Sequence, residues 1–139
     1  MDDRHARRRH RVADPRRRPV DGYRLAGGHR FDRLVGEVLA ELPAAVLDHL
    51  QQVELRLADV PPTPGPGEVE EVLLARYDPA GPTAGAIRTP ARLTLYRRPI
   101  EARAHSKPEL VALVREVLVR ETARQLGIDD DGLEELGWL

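Results

Sequence analysis

The chain has 139 residues, of which 41% are hydrophobic and 32% charged, a composition typical of one soluble globular domain. It contains no cysteine, which excludes disulfides, thiolate zinc sites and cysteine nucleophiles. No apolar run approaches the roughly 18 residues of a membrane span, and aromatic residues, at 4%, are too few for platforms that stack single-stranded nucleic acid. We therefore expect a cytoplasmic protein with an aliphatic core and no membrane contact.

The net charge of −1 conceals two parts of opposite charge. Residues 1–30 carry ten arginines and four aspartates, for +6, whereas residues 31–139 carry eleven arginines, one lysine and nineteen acids, for −7. The first part has almost nothing apolar to bury and contains Pro15 and Pro19, so we expect a disordered basic arm. No apolar stretch follows its arginines, as a secretory signal would require.

The arginine clusters at residues 7–9 and 16–18 have two interpretations. They could neutralise phosphates and bind nucleic acid without sequence preference. Alternatively, they belong to a solvated tail, or to a start codon assigned too far upstream. The second interpretation is favoured, because the clusters lack interleaved aromatic residues and no base-reading element accompanies them.

The first elements of the acidic part are predicted from hydrophobic spacing. Apolar residues recur at intervals of three and four over residues 31–42 and predict an amphipathic helix that ends near Pro43. A short second helix is expected over residues 44–50. Strict alternation over residues 53–57 predicts a half-buried strand within the segment 52–58.

Prolines and glycines separate the remaining strands. Residues 61–67 contain four prolines and two glycines and predict a loop. A second strand is expected over residues 70–77. Residues 78–90 are again rich in glycine and proline and predict a loop that crosses a cleft, and a third strand is expected over residues 92–97.

A long helix is predicted over residues 107–126. Ser106 is a suitable N-cap, Pro108 fits the first turn, and Gly127 is a natural residue to follow the last turn. A short acidic helix over residues 130–136 closes the chain.

The order of these elements predicts an α/β (α+β) domain over residues 31–139, with one small sheet packed against the long helix. In the third strand, we expect Leu93 and Leu95 to face the core, and Thr94 and Tyr96 to face away.

The last turns of the long helix carry an anomaly. At about 100° per residue, Arg120, Glu121 and Arg124 fall on the same side as the apolar stripe that contains Val117. Buried charges are costly unless they are paired, so such residues would form a polar pocket or the open end of a cleft. The alternative is that the stripe stops near Leu118 and the last two turns are exposed.

The segment from Arg120 to Asp130 resembles the zinc helix of a family of small bacterial metallopeptidase-like proteins with a minimal zincin-like domain. The family pattern is H-E-x-x-H-x-x-G-x-x-D, in which the two histidines bind zinc and the glutamate is the general base. The glycine turns the chain so that the final acid reaches the metal. The resemblance is strong over residues 92–138 and weaker over residues 31–91, and the arm lies outside it.

The chain departs from this pattern at the two histidine positions, where Arg120 and Arg124 stand. Glu121 keeps the general-base position, Gly127 the turn, and Asp130 the third-ligand position. Arginine stays protonated and has no lone pair to offer zinc, and one carboxylate cannot hold a catalytic zinc ion. We therefore predict no bound metal or other cofactor, although the resemblance implies zinc in intact relatives.

The other histidines supply no replacement ligands, since none has metal-ligand spacing to a neighbour: His5, His10, His29, His49 and His105. The resemblance also implies a substrate cleft lined by an edge strand of the sheet, because zincins are built in this way. We expect this edge strand to be the one over residues 92–97.

The two arginines predict a substitute for the charge of the metal. Loss of zinc alone would leave Glu121 and Asp130 as neighbouring carboxylates, which repel each other. Arg120 and Arg124 lie one turn apart and point the same way, so we expect at least one of them to pair with one of these acids. The alternative is that both arginines extend into solvent.

Three functions are open at this point. The first is a pseudo-peptidase, which keeps the fold, has lost zinc and hydrolysis, and binds a protein or peptide partner. The second is a nucleic-acid-associated protein that acts through the basic arm, and the third is an active peptidase with a metal bound elsewhere or a metal-free mechanism. Bound zinc separates the first from the third, and deletion of residues 1–29 tests the second.

Overall fold

The computed structural model describes residues 29–67, 73–82 and 88–139. The elements of these residues are, in chain order, α1 (His29–Ala40), α2 (Ala44–Leu50), β1 (Glu54–Ala58), β2 (Ala75–Asp78), β3 (Gly81–Pro82), β4 (Arg88–Thr89), β5 (Arg92–Tyr96), α3 (Arg97–Arg103), α4 (Lys107–Leu126) and α5 (Asp130–Glu135). This combination of helices with a small mixed sheet confirms the predicted α+β class. The arginine clusters of the predicted arm lie outside the described residues.

The main sheet has three strands in the order β1-β5-β2. β1 runs parallel to β5, with Leu55 opposite Leu93 and Leu57 opposite Leu95, whereas β2 runs antiparallel to β5. The four leucines are at most 6% exposed, because alternation along each strand directs them to the same face. The predicted orientation of Leu93 and Leu95 is confirmed. Tyr96 lies on the other face of the sheet, as predicted, but it is also buried.

The prediction that residues 92–97 form an edge strand is wrong. β5 lies between β1 and β2, and the antiparallel strand at the edge is β2. Alternation within one strand reports which residues face the core, but strand order depends on pairing between segments far apart in sequence. The strand also ends at Tyr96, since Arg97 begins α3.

α3 is an element that the hydrophobic pattern did not predict. Arg97, its first residue, donates from Nε to Asp59 Oδ1 at 2.9 Å and from Nη1 to Glu101 Oε1 at 2.8 Å. Pro99 is tolerated as the third residue, because the first N–H groups of a helix have no partner within it. The two ion pairs fix the start of α3 beside the loop that follows β1.

Most of the remaining boundaries lie close to the predicted ones, but β2 begins at Ala75 and not at residue 70, since residues 73 and 74 lie outside the strand. α2 and α4 have the predicted bounds, and α1 begins at His29, two residues before the expected start. Within the segment 78–90, which was expected to be a loop, β3 and β4 pair as a small antiparallel sheet. No helix in the described part of the chain is both long enough and apolar enough to cross a membrane.

The core is mainly aliphatic, as the composition indicates, and it contains side chains from the helices and from the sheet. The fully buried ones include Val35, Val46, Leu93, Leu95, Ile100, Val114 and Leu118. α4 packs against α1, α2 and α3. The long helix is therefore held by the core along its length, including the turns in which the motif residues lie.

The ends of α4 follow from its capping residues. Ser106 Oγ accepts a hydrogen bond from the backbone N–H of Glu109 at 3.2 Å, which satisfies one free donor of the first turn. Gly127 follows the last turn with φ of 73°, and the N–H of Ile128 donates to the carbonyl of Ala123 at 2.8 Å. This left-handed residue reverses the chain, so that α5 starts beside the end of α4.

Replacement of two glycines by alanine should change stability in opposite directions. A Cβ at either Gly127 or Gly36 would meet no atom within 4 Å, so backbone conformation alone decides the effect. Gly127→Ala should lower the free energy of unfolding by about 1–2 kcal/mol, because φ is positive. Gly36→Ala, inside α1, should raise it by about 0.5–1 kcal/mol. Urea titration measures both, and changes of the same sign would contradict this explanation of the turn.

Candidate functional site

The turn at Gly127 brings the predicted third-ligand residue back to α4. Arg120 Nη1 lies 3.0 Å from Asp130 Oδ1, and Arg120 Nε lies 2.9 Å from Glu116 Oε1. The predicted pairing of an arginine with Asp130 is therefore present. The contact is not a fork to a single carboxylate, because the guanidinium of Arg120 bridges two acids. Glu116 lies one turn before Arg120 on α4, and Asp130 lies at the start of α5.

Arg120 stays charged in this arrangement. The hydrogen bond to Glu116 and then the one to Asp130 raise the pKa of Arg120 above its ordinary value. The side chain of Asp130 is 87% exposed and that of Arg120 47%. Exposed pairs of this kind contribute little to stability, so the contact adds little to the turn that Gly127 already makes.

The second arginine pairs with the residue at the general-base position. Arg124 Nη1 lies 3.2 Å from Glu121 Oε1. The Glu121 side chain is only 12% exposed, whereas that of Arg124 is 75% exposed. The carboxylate of Glu121 is therefore mostly shielded from solvent, whereas the guanidinium of Arg124 that pairs with it is exposed.

Both sequence interpretations of the last turns of α4 are wrong in part. Arg120 and Arg124 are exposed and not on the buried side, yet the helix does not leave the core at Leu118. Its last buried residues are Val119, Thr122 and Ala123. Because the helix contacts different neighbours along its length, the buried side rotates, and a single angle measured from the first turns does not apply to the last ones.

An open cleft of about 370 Å³ lies between the edge strand β2 and α4. The residues that line it are Leu73, Ala75, Arg76 and Tyr77 on the strand side and Glu121, Arg124 and Gln125 on the helix. The predicted Glu121 and Arg124 are therefore brought together in one cleft, whereas Arg120 and Asp130 are not among its lining residues.

Among the described residues, the outer edge of β2 has no strand paired with it, and it borders this cleft. The carbonyl of Leu74 accepts from the N–H of Tyr96 at 2.9 Å, which places Leu74 in a hydrogen-bonded pair. In an antiparallel ladder such pairs alternate with unbonded ones. The backbone N–H and carbonyl groups of Ala75 and Tyr77 therefore point away from β5, towards the open edge.

Sequence reasoning missed two parts of this cleft. The lining residues of β2 were missed because residues 92–97 were expected to be the edge strand. Gln125 was also missed, although it lies one turn after Glu121 and therefore on the same side of α4. Its Oε1 accepts a hydrogen bond from His49 Nε2, so the histidine of α2 contacts the helix through an amide.

The donor set does not fit a zinc ion. Zinc in proteins is held by thiolate, imidazole and carboxylate groups, and two of the three positions expected to bind it carry guanidinium groups. Across residues 29–67, 73–82 and 88–139, no three His, Asp or Glu side chains are grouped as a metal ion would require.

A comparison with protein families agrees with this architecture. A family model described as Zincin-like metallopeptidase matches residues 50–138. The chain belongs to this family. The match includes β1, β2, β5, α4 and α5, and hence both walls of the cleft, while α1 and the basic arm precede it. A search of curated proteins found no match.

The contact between Arg120 and Asp130 in this zincin-like domain should appear as a salt-dependent coupling. A double-mutant cycle combines the single variants Arg120→Gln and Asp130→Asn with the double variant. The coupling energy between the two residues should be favourable at low salt and vanish at high salt, because exposed charges are screened. Urea midpoints measure it, and the loss in each single variant should be smaller than that of Gly127→Ala. A control cycle with Arg103→Gln in place of Arg120→Gln should show no coupling. Coupling that persists unchanged in 1 M salt, roughly a 3 Å screening length, would contradict the assignment.

Proposed function

We propose that this zincin-like protein is a pseudo-peptidase, which binds a peptide segment of a protein partner without zinc and without hydrolysis. The observation that supports the proposal is the pairing of both arginines in the motif. Arg120 contacts Asp130, and Arg124 contacts Glu121. In the family pattern, these arginines stand where the zinc-binding histidines are expected.

The charges explain why arginine is a suitable replacement. Zinc carries two positive charges, and its loss alone would leave the acids near the end of α4 without a cation. The carbonyl end of a helix adds partial negative charge at the same place. Two guanidinium groups restore two positive charges, and each forms a contact of 3.2 Å or less with one of the acids. Glu121 and Asp130 are thereby each paired with a cation of the chain itself.

The same pairs oppose hydrolysis. A general base must accept a proton from an attacking water molecule, but Glu121 is ion-paired with Arg124. A guanidinium offers no position at which water is both bound and deprotonated, as zinc does in hydrolases. Among the described residues that line the cleft, Glu121 is the sole carboxylate, so no second acid stands beside it.

Peptide binding is supported by the edge strand. Within the part of the chain that the structure describes, no strand pairs with the outward N–H and carbonyl groups of Ala75 and Tyr77. Such groups can pair with an extended chain, which is a common way for sheets to bind peptides. The facing wall on α4 encloses the space beside them. A cleft that has lost its chemistry can in this way still bind a segment of another protein.

The proposal is tested by restoring the histidines. The wild-type protein should purify without stoichiometric zinc and should not cleave peptides in the presence of zinc. Arg120→His with Arg124→His should bind about one zinc ion, because two imidazoles and the carboxylate of Asp130 form a zincin-type ligand set. Metal analysis and a general peptidase assay measure both properties.

The control for this experiment adds two histidines elsewhere. Arg33→His with Arg103→His changes the charge in the same way at exposed positions of α1 and α3, and it should bind no stoichiometric zinc. One equivalent of zinc in the wild-type protein, or peptide cleavage that a chelator abolishes, would refute the proposal. If the restored motif binds no zinc, the residues around it have also changed.

A further inference from the structure

The guanidinium of Arg124 projects into the cleft and is only partly used. Its side chain is 75% exposed, and its ion pair with Glu121 engages Nη1. A guanidinium carries five N–H donors arranged as a fork. The edge formed by Nε and Nη2 matches the two oxygens of a carboxylate, and it can donate to a second carboxylate while Nη1 keeps its contact with Glu121.

We propose that Arg124 is a receptor for an acidic side chain, so that the cleft selects extended peptides with Asp or Glu at one position. The inference rests on the proposed function, because it specifies which peptides the cleft binds. Arg124 stands where the family pattern has its second histidine. The inference gives this position a new role, which is to recognise a carboxylate of the partner.

The geometry of β2 places one side chain of such a peptide towards Arg124. Ala75 and Tyr77 lie on the face of the sheet that the helices cover, since they stand opposite the buried Leu95 and Leu93. A peptide that pairs with β2 would alternate in the same way. Every second side chain would therefore point to the side on which α4 contributes Arg124 and Gln125.

The charges of the cleft favour an acidic side chain over a basic one. Arg76, Arg124 and Glu121 give the lining a net charge of +1. Arg76 is paired with Asp78 and Arg124 with Glu121, so the preference depends on the guanidinium donors that these two pairs leave unused. The rest of the domain is acidic, with a net charge of −7 over residues 31–139. Acidic peptides therefore gain nothing from the overall charge, and any preference for them must come from the cleft itself.

The apolar residues of the cleft define the neighbours of the acidic position. Leu73 and Tyr77 line the cleft, and the side chain of Leu73 is an exposed large hydrophobic group. Burial of this surface stabilises a complex in proportion to the apolar area that is removed from water. We therefore expect aliphatic or aromatic residues two positions from the acidic one, on the same face of the bound strand.

A randomised library of terminally blocked heptapeptides tests the inference. The full chain is immobilised, and the retained peptides are identified by mass spectrometry. Asp or Glu should be enriched at one position by about fivefold or more over the input, since a hydrogen bond to a charged group exceeds a neutral one by about 1 kcal/mol, which is about fivefold in affinity. Arg124→Gln should still retain peptides, but without the acidic preference. The control Arg103→Gln removes the same charge from an exposed position on α3 and should retain the preference.

The outcomes distinguish the inference from the proposed function. If the wild-type protein retains peptides without a preference for acids, or prefers lysine, Arg124 is not a carboxylate receptor, while the cleft is still a peptide-binding site. If neither the wild-type protein nor the Arg124→Gln variant retains any peptide, both proposals are wrong. An acidic preference that survives in Arg124→Gln would assign the recognition to another residue and overturn the inference.

Discussion

The left-handed turn at Gly127 brings Asp130 back beside Arg120, and the pairing of charges at this end of α4 depends on it. Acidic side chains gather at this end of α4, where the helix dipole is also negative. Glu116, Glu121 and Asp130 each lie within 3.2 Å of a guanidinium nitrogen. In this chain two arginines supply the positive charge beside these acids.

The core packing of α4 does not involve the two arginines of the motif. α4 buries Val119, Thr122 and Ala123 in the core, and the motif arginines project from the helix on the exposed side. A substitution at the motif therefore leaves the packed side of the helix unchanged. This separation explains how a zincin-like domain can keep its sheet and its long helix with two arginines at positions where the family pattern has histidines.

Much of the fold could be predicted because it is encoded locally. The capping residues Ser106 and Gly127 mark the ends of α4, and the alternating leucines of β1 and β5 identify the buried face of the sheet. The edge position of β2 could not be predicted, because strand order is determined by pairing between distant segments. α3 was missed because residues 97–103 lack a strong apolar period, and ion pairs of Arg97 support their start.

The ion-paired residues of the site were predictable, but their orientation, the β2 wall of the cleft and Gln125 were not. The motif comparison identified Arg120, Glu121, Arg124 and Asp130, and the expected pairing of an arginine with an acid is present. The helical angle placed Arg120 and Arg124 on the buried side, whereas tertiary contacts rotate that side along α4. The contact of His49 with Gln125 joins elements 76 residues apart, which no local pattern reports.

The most direct test of the arginine substitution is the thermal unfolding of the wild-type protein with zinc and with a chelator. A ligand that binds only the folded state raises the free energy of unfolding by mass action, by about 2.7 kcal/mol at a hundredfold excess over its dissociation constant, and the unfolding midpoint rises with it. If the arginines have taken the place of the metal, the midpoint should be the same in excess zinc and in excess EDTA. A midpoint that rises with zinc concentration and falls with EDTA would show that the folded site binds the metal, and would contradict the account.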